Sequence, residues 1–253
     1  MRLRDNLDRD AALITAWSTS PSADMAGALA DCSFDAVTVD MQHGAHDEAS
    51  AFASARAVHA KGKPALLRIP VGRNDLASRA LDMGFEAVIA PMIDSSEQAR
   101  DFAQAMKYPP LGSRSWGPLR ALDMHSEHTA ESYFREANRQ TLSIAMIETR
   151  TAFKALDGIL AVDGIDGIFV GPSDLSISWS KGEGVDPDRA DMQDALAEMA
   201  RRARAAGKFA AIFAVDPAAT PLFAKMGYRL CALNTDPGAI RAGAELMLGQ
   251  ARG

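Results

Sequence analysis

Glu148 closes the apolar run Ser143-Ile144-Ala145-Met146-Ile147, and Asp174 follows Gly167-Ile168-Phe169-Val170 across the short link Gly171-Pro172-Ser173. If both runs are strands of a parallel barrel, the two carboxylates project from one rim, the rim where such barrels keep their chemistry. Carboxylates sharing a site repel each other, so their closeness calls for a cation between them. Two protein oxygens, with the remaining positions left to water or substrate, suit Mg2+ or Mn2+ better than Zn2+, which favours His and Cys. Such an ion acts as a Lewis acid.

Other polar residues stand at the ends of apolar runs. Trp17 ends the first, Asp40 the second with His43 just beyond it, and Arg68 the third. An imidazole titrating near neutrality suits proton transfer, which makes His43 the candidate base, with Asp40 upstream to orient it. A guanidinium after an apolar strand is costly unless it meets an anion, so Arg68 is read as a clamp on a substrate carboxylate or a developing enolate oxygen. A structural carboxylate as its partner is the competing reading. Gly171-Pro172-Ser173-Asp174-Leu175 reads as a tight turn whose Ser173 and Asp174 amides are open to a carboxylate, Pro172 having no N–H to offer.

These positions require a scaffold in which short apolar strands alternate with helices. Strands are predicted at 13–17, 36–40, 65–68, 87–91, 143–148, 167–170, 210–213 and 230–234, with helices at 23–31, 48–60, 74–83, 95–106, 150–157, 188–206, 217–226 and 237–250. Gly62, Gly84, Gly207 and Gly227 each close a helix shortly before a strand. Eight such units predict a (β/α)8 TIM barrel in a single domain, 1–253. The stretch 107–140, with Tyr108-Pro109-Pro110-Leu111-Gly112-Ser113-Arg114 and a further helix, is an insertion between strands four and five. Insertions this long serve as lids, binding loops or interfaces.

The chain has 253 residues, the length of one such barrel, and is 47% hydrophobic and 24% charged, as ordinary globular proteins are. A net charge of −6 weighs against a nucleic-acid surface. Cys32 and Cys231 are too few for a disulfide framework, and the charged N-terminus lacks a secretion signal. No run is apolar enough to span a membrane, so the expectation is a cytoplasmic protein without nucleic-acid or membrane partners.

Several segments together resemble the HpcH/HpaI aldolase family of metal-dependent pyruvate aldolases. They are Val39-Asp40-Met41-Gln42-His43, Leu67-Arg68, Ala90-Pro91-Met92, the Tyr108 to Arg114 segment, Met146-Ile147-Glu148-Thr149 and the stretch from Val162 to Leu175. The resemblance runs from about Ala12 to the C-terminus. It implies that Glu148 and Asp174 bind the metal, Mg2+, Mn2+ or Co2+, and that Arg68 holds the pyruvyl oxygen. It makes His43 part of the acid/base machinery, supported by Asp40 and Asp82. By the same resemblance Gly171, Pro172, Ser173 and Asp174 hold the pyruvate carboxylate, and Trp17 lines the pocket near the methyl group. Many members carry Gln where Met146 stands, in contact with substrate, so Met146 points to a different aldehyde or donor, hydroxypyruvate among them. The resemblance also implies a homo-hexamer, a trimer of dimers, with the C-terminal helix exchanged between subunits and the loop 114–118 reaching an adjacent site.

The implied reaction is reversible retro-aldol cleavage of a 4-hydroxy-2-oxo acid to pyruvate or hydroxypyruvate plus an aldehyde, through a metal-stabilised enolate. A Schiff-base route needs a desolvated lysine at the site, and none of the seven lysines ends an apolar strand. The alternatives are a citramalyl- or malyl-CoA lyase or phosphoenolpyruvate mutase type of enzyme, which the sequence gives no phosphate cradle, and a non-catalytic oxo-acid binder.

Overall fold

The structure, a computed structural model, describes residues 2–7, 11–125 and 127–253. Eight parallel strands close into a barrel in sequence order: β1 Leu13–Ser18, β2 Ala36–Asp40, β3 Ala65–Arg68, β4 Ala87–Ala90, β5 Leu142–Ile147, β6 Gly167–Val170, β7 Phe209–Ala214 and β8 Leu230–Thr235. Before β1 lies α1 Leu3–Leu7; the crossover helices that follow are α2 Ala23–Asp31, α3 Glu48–His59, α4 Asn74–Asp82 and α5 Ser96–Met106. The insertion holds α6 Leu119–Met124 and α7 Ala130–Gln140, two helices where the sequence suggests one. Beyond β5 come α8 Arg150–Leu160, α9 Pro172–Trp179, α10 Ala190–Ala205, α11 Thr220–Met226 and α12 Asp236–Arg252. The expected strands and crossover helices are therefore present, with shifts of a few residues at their ends.

Local chemistry explains the punctuation. Ser22, Asp47, Ser95, Thr129 and Thr149 cap α2, α3, α5, α7 and α8 by accepting a first-turn N–H. Gly227 ends α11 at φ 106°, a left-handed conformation that a side chain resists.

Strand alternation positions the site. Leu13 and Trp17 on β1, Leu66 on β3, Leu142, Ile144 and Met146 on β5 and Phe169 on β6 pack together inside the barrel. Ala145, Ile147, Ile168 and Val170, the alternate residues, join the larger core between sheet and helices. Counting by twos along each strand puts Trp17, Asp40, Arg68 and Glu148 on the inward side at its C-terminal end. The opposite end is closed by α1, whose Leu3 and Leu7 enter the interior cluster while the Leu3 amide donates to Glu86 Oε2 at 2.8 Å.

Candidate active site

At the C-terminal rim Asp40 and Arg68 face each other across the β2–β3 ladder. Arg68 Nε donates to Asp40 Oδ1 at 2.8 Å and Nη2 to Oδ2 at 2.6 Å, a two-pronged pair with both residues buried. Trp17 Nε1 adds a bond to Asp40 Oδ2 at 3.2 Å, and the Arg68 guanidinium lies 4.9 Å from the Trp17 ring centroid. Phe169 and Phe213 hold that ring from below, at 5.6 and 5.3 Å. Burial pushes the Asp40 carboxyl up, but the Arg68 hydrogen bond and charge, with the Gln42 amide and Trp17 indole, hold it below the usual range. Arg68 thus has the structural carboxylate of the competing reading as its partner, and it stands at the rim.

Asp40 also shapes the loop beyond β2. Its Oδ1 accepts from Gln42 N at 3.0 Å and His43 N at 3.3 Å, so it supports His43 through the backbone and not through the ring. The His43 side chain is exposed. Asp82, given a supporting role for His43 by the resemblance, ends α4 and takes Arg114 Nη2 at 2.7 Å, tying the insertion to the barrel wall. Among the described residues no hydrogen bond joins Asp82 to His43.

Glu148 follows β5 and is almost completely buried. Its Oε1 stands 2.7 Å from where a Cβ on Gly171 would lie, so only glycine leaves it room. Its Oε2 accepts from the Met92 amide at 2.9 Å. Burial chiefly, with repulsion from Asp174 and Asp94, raises its pKa to about 7 against the opposing pull of the Met92 amide and Arg68. Asp174 lies exposed in the first turn of α9.

That helix corrects the sequence reading, in which Gly171 to Leu175 is a turn. Pro172 occupies the helix N-terminus and Gly171 caps it without a side chain, which leaves the first-turn amides at Ser173 and Asp174 facing outward at the positive end of the dipole. Met146 is buried among Trp17 and Phe169, paired with Phe169 in the ladder, and forms part of the apolar floor.

The donor set fits a hard divalent cation: one buried carboxylate is disfavoured as an anion while a second stands within electrostatic range. Among the described residues no group of three or more His, Cys, Asp or Glu converges, so Glu148 and Asp174 would contribute two oxygens and leave the other positions to water and ligand.

The HpcH/HpaI aldolase/citrate lyase family model matches residues 13–242. The chain belongs to this family. A 2-keto-3-deoxy-L-rhamnonate aldolase of Klebsiella pneumoniae is 35% identical over 220 residues, 87% of this chain and 81% of that protein. A hydroxypyruvate/pyruvate aldolase of Roseovarius nubinhibens is 33% identical over 224 residues, covering 88% and 86% of the two chains. Among solved structures, an HpcH/HpaI aldolase/citrate lyase family protein of Burkholderia cenocepacia superposes with a TM-score of 0.88 at 28% identity, over 99% of each chain. Within this family member, sequence reasoning missed the Met92 amide as a partner of Glu148. Pro91, just past β4, was the one available signal, since it ends the strand and frees the backbone to turn inward.

Proposed function

We propose that this protein is a divalent-metal-dependent aldolase that reversibly cleaves a 4-hydroxy-2-oxo acid to pyruvate or hydroxypyruvate and an aldehyde. The observation that carries the reading is Glu148, buried just past β5 and held by the Met92 amide, with Asp174 and Arg68 within electrostatic reach. A Mg2+, Mn2+ or Co2+ ion held by Glu148 and Asp174 would supply Lewis acidity toward the oxygens of the 2-oxo acid. Ser173 and Asp174 amides, at the start of α9 that no side chain caps, bind the substrate carboxylate, helped by the close backbone at Gly171 and Pro172. His43 accepts the 4-hydroxyl proton as the C3–C4 bond breaks. The electron pair moves onto C3 and the 2-oxo oxygen, where the Arg68 charge stabilises it. Reprotonation at C3 releases pyruvate. Trp17 and Met146 form the apolar wall beside C3.

Lys107, the buried lysine, lies at the opposite end of the barrel, where it donates to Asp166, Thr141 O and Asn138 O. This favours the reading over a Schiff-base route. The test is solvent exchange of the pyruvate methyl protons in deuterated water with Mn2+, followed by a screen of aldehyde acceptors against pyruvate and hydroxypyruvate. Exchange that requires the cation is expected. Exchange that persists fully in EDTA, or a covalent adduct trapped by borohydride, overturns it; turnover of CoA thioesters alone would favour the lyase alternative, and no exchange at all the non-catalytic binder.

We also propose that the barrel acts as one domain in a cytoplasmic homo-hexamer, a trimer of dimers. Ile240, Leu246, Met247 and Leu248 leave α12 with exposed apolar side chains suited to packing on a neighbouring subunit, and Trp116 does the same for the loop 114–118. Light scattering coupled to size exclusion showing a stable monomer would sink both assignments.

A further inference from the structure

Asp236 opens α12 and is the buried residue of that helix, 1% exposed. Its carboxylate reaches back across the whole sequence to the segment after β1. Oδ1 accepts from Thr19 N at 2.9 Å and from Thr19 Oγ1 at 2.5 Å, and Oδ2 accepts from Ser20 N at 2.9 Å. The ladder between β1 and β8 slips register between Ala16 and Trp17, just before this point, so the side chain closes a seam that regular strand pairing leaves uneven.

The segment that Asp236 fixes is the bed of the His43 loop. Thr19 O accepts from Ala45 N at 2.8 Å. A Cβ on Gly44 would lie 3.0 Å from both Thr19 Cα and Thr19 O, so the loop rests directly on Thr19 and needs glycine to do so. One residue earlier, Ser18 Oγ shares a hydrogen bond with His46 Nε2 at 3.2 Å. The other end of the loop is held by Asp40 through Gln42 N and His43 N. His43 therefore hangs between two anchors: Asp40, which is part of the Arg68 pair, and Thr19, whose amide and hydroxyl are both bonded to Asp236.

We infer that Asp236 is a positioning residue for proton transfer at His43, acting through Thr19 and the loop 40–47. The inference rests on the functional reading of His43 given above. Among the described residues the hydrogen bonds of the Asp236 side chain go to Thr19 and Ser20 and none to β3, to β5 or to β6, so its direct contacts lie on the His43 side of the site. Displacement of a reacting group by about 1 Å costs roughly 10²-fold in rate, and a loop released at one of two anchors invites movement of that size.

The experiment compares wild type with Asp236→Asn and Thr19→Val in the full chain with Mn2+. Asn keeps the shape and one acceptor but turns an amide donor toward the Thr19 or Ser20 N–H. Thr19→Val removes the hydroxyl donor alone and backs up the test where Asp236→Asn fails to fold. Cleavage of 4-hydroxy-2-oxopentanoate, the aldol of pyruvate and acetaldehyde, is expected to lose about 10- to 100-fold in kcat in Asp236→Asn and a smaller factor in Thr19→Val, with KM unchanged within about threefold. The His43 and Ala45 amide resonances should shift in both variants. Wild-type kcat in either folded variant, or a fall in kcat matched by weaker Mn2+ binding, overturns the inference. If wild type cleaves nothing, the functional reading has failed and the amide resonances decide alone: unmoved His43 and Ala45 signals overturn the positioning role.

Discussion

The backbone amide of Met92 donates to Glu148 Oε2 at 2.9 Å, and Met92 reaches it at a φ of 56°, in the left-handed region that residues with side chains seldom enter. Strain of this kind persists where the surroundings over-determine it and gathers at functional sites. Here it supplies the hydrogen bond that holds a buried carboxylate, otherwise pushed toward protonation, aimed into the barrel mouth.

Glu148→Gln should stabilise the cation-free protein above neutrality while abolishing divalent cation binding. The Glu148 carboxyl is raised to about 7 in the folded state from an ordinary 4.5. A raised folded pKa means that the folded state binds the proton more tightly. Its contribution to stability is complete below pH 4.5 and is lost as pH rises through about 7. That loss is on the order of 3–4 kcal/mol. Thermal melts in EDTA across this range should show the decline in wild type and a flatter profile in Glu148→Gln. A variant melting lower than wild type at pH 8 would contradict this account.

Arg68→Lys should cost roughly 10²-fold in kcat, because a lysine ammonium cannot grip both Asp40 oxygens and face the substrate at once. Arg68→Ala should also destabilise the fold by about 3 kcal/mol, since Asp40 would remain buried without its counter-charge. Asp40 contributes in the opposite pH sense to Glu148. Its folded pKa is depressed, so its stabilisation is present above the ordinary 3.8 and disappears on acidification below it. Steady-state kinetics and denaturant titration at two pH values measure both effects.

Trp17→Phe removes the indole donor to Asp40 and leaves an aromatic ring beneath Arg68. A loss of a few-fold in kcat is expected, with about 1 kcal/mol of stability. Trp17→Ala, which also opens a cavity beside Phe169 and Phe213, should cost about 3–5 kcal/mol. Equal stability of the two variants would show that the ring does not support the rim.

Met146→Gln places an amide in the apolar floor among Trp17 and Phe169, at a stability cost of roughly 1–3 kcal/mol unless the amide finds partners. Because Met146 is the floor residue two positions before Glu148, the ratio of kcat/KM for hydroxypyruvate to that for pyruvate should change in this variant. An unchanged ratio would remove Met146 from the substrate wall.

Most of the scaffold was legible because strand periodicity and capping are local. Ser143-Ile144-Ala145-Met146-Ile147 alternates with two faces to bury, and Ser22, Asp47, Ser95 and Thr149 announce their helices. Helix α9 escaped although Pro172 at its start and Gly171 before it are helix-opening residues, because Gly-Pro-Ser suits a turn equally well. Helix α1 carried no usable signal. Five residues do not hold a helix in water, and Leu3–Leu7 folds against the barrel interior and the Glu86 carboxylate. Asp82 and Arg114 lie far apart in sequence, and no periodicity announces their pairing.

By itself, the sequence determined the alternation of strands and helices and, through the period of two along each strand, that Trp17, Asp40, Arg68 and Glu148 share the inward side. Only the tertiary structure decided which groups these side chains meet: Asp40 with Arg68, Glu148 with the Met92 amide, Asp82 with Arg114, and Asp236 with Thr19 and Ser20. The first set follows from steric and hydrophobic rules acting over a few residues. The second depends on barrel closure, which brings groups distant in the chain to hydrogen-bonding distance and leaves each buried charge to be satisfied by whatever donor the closed ring presents.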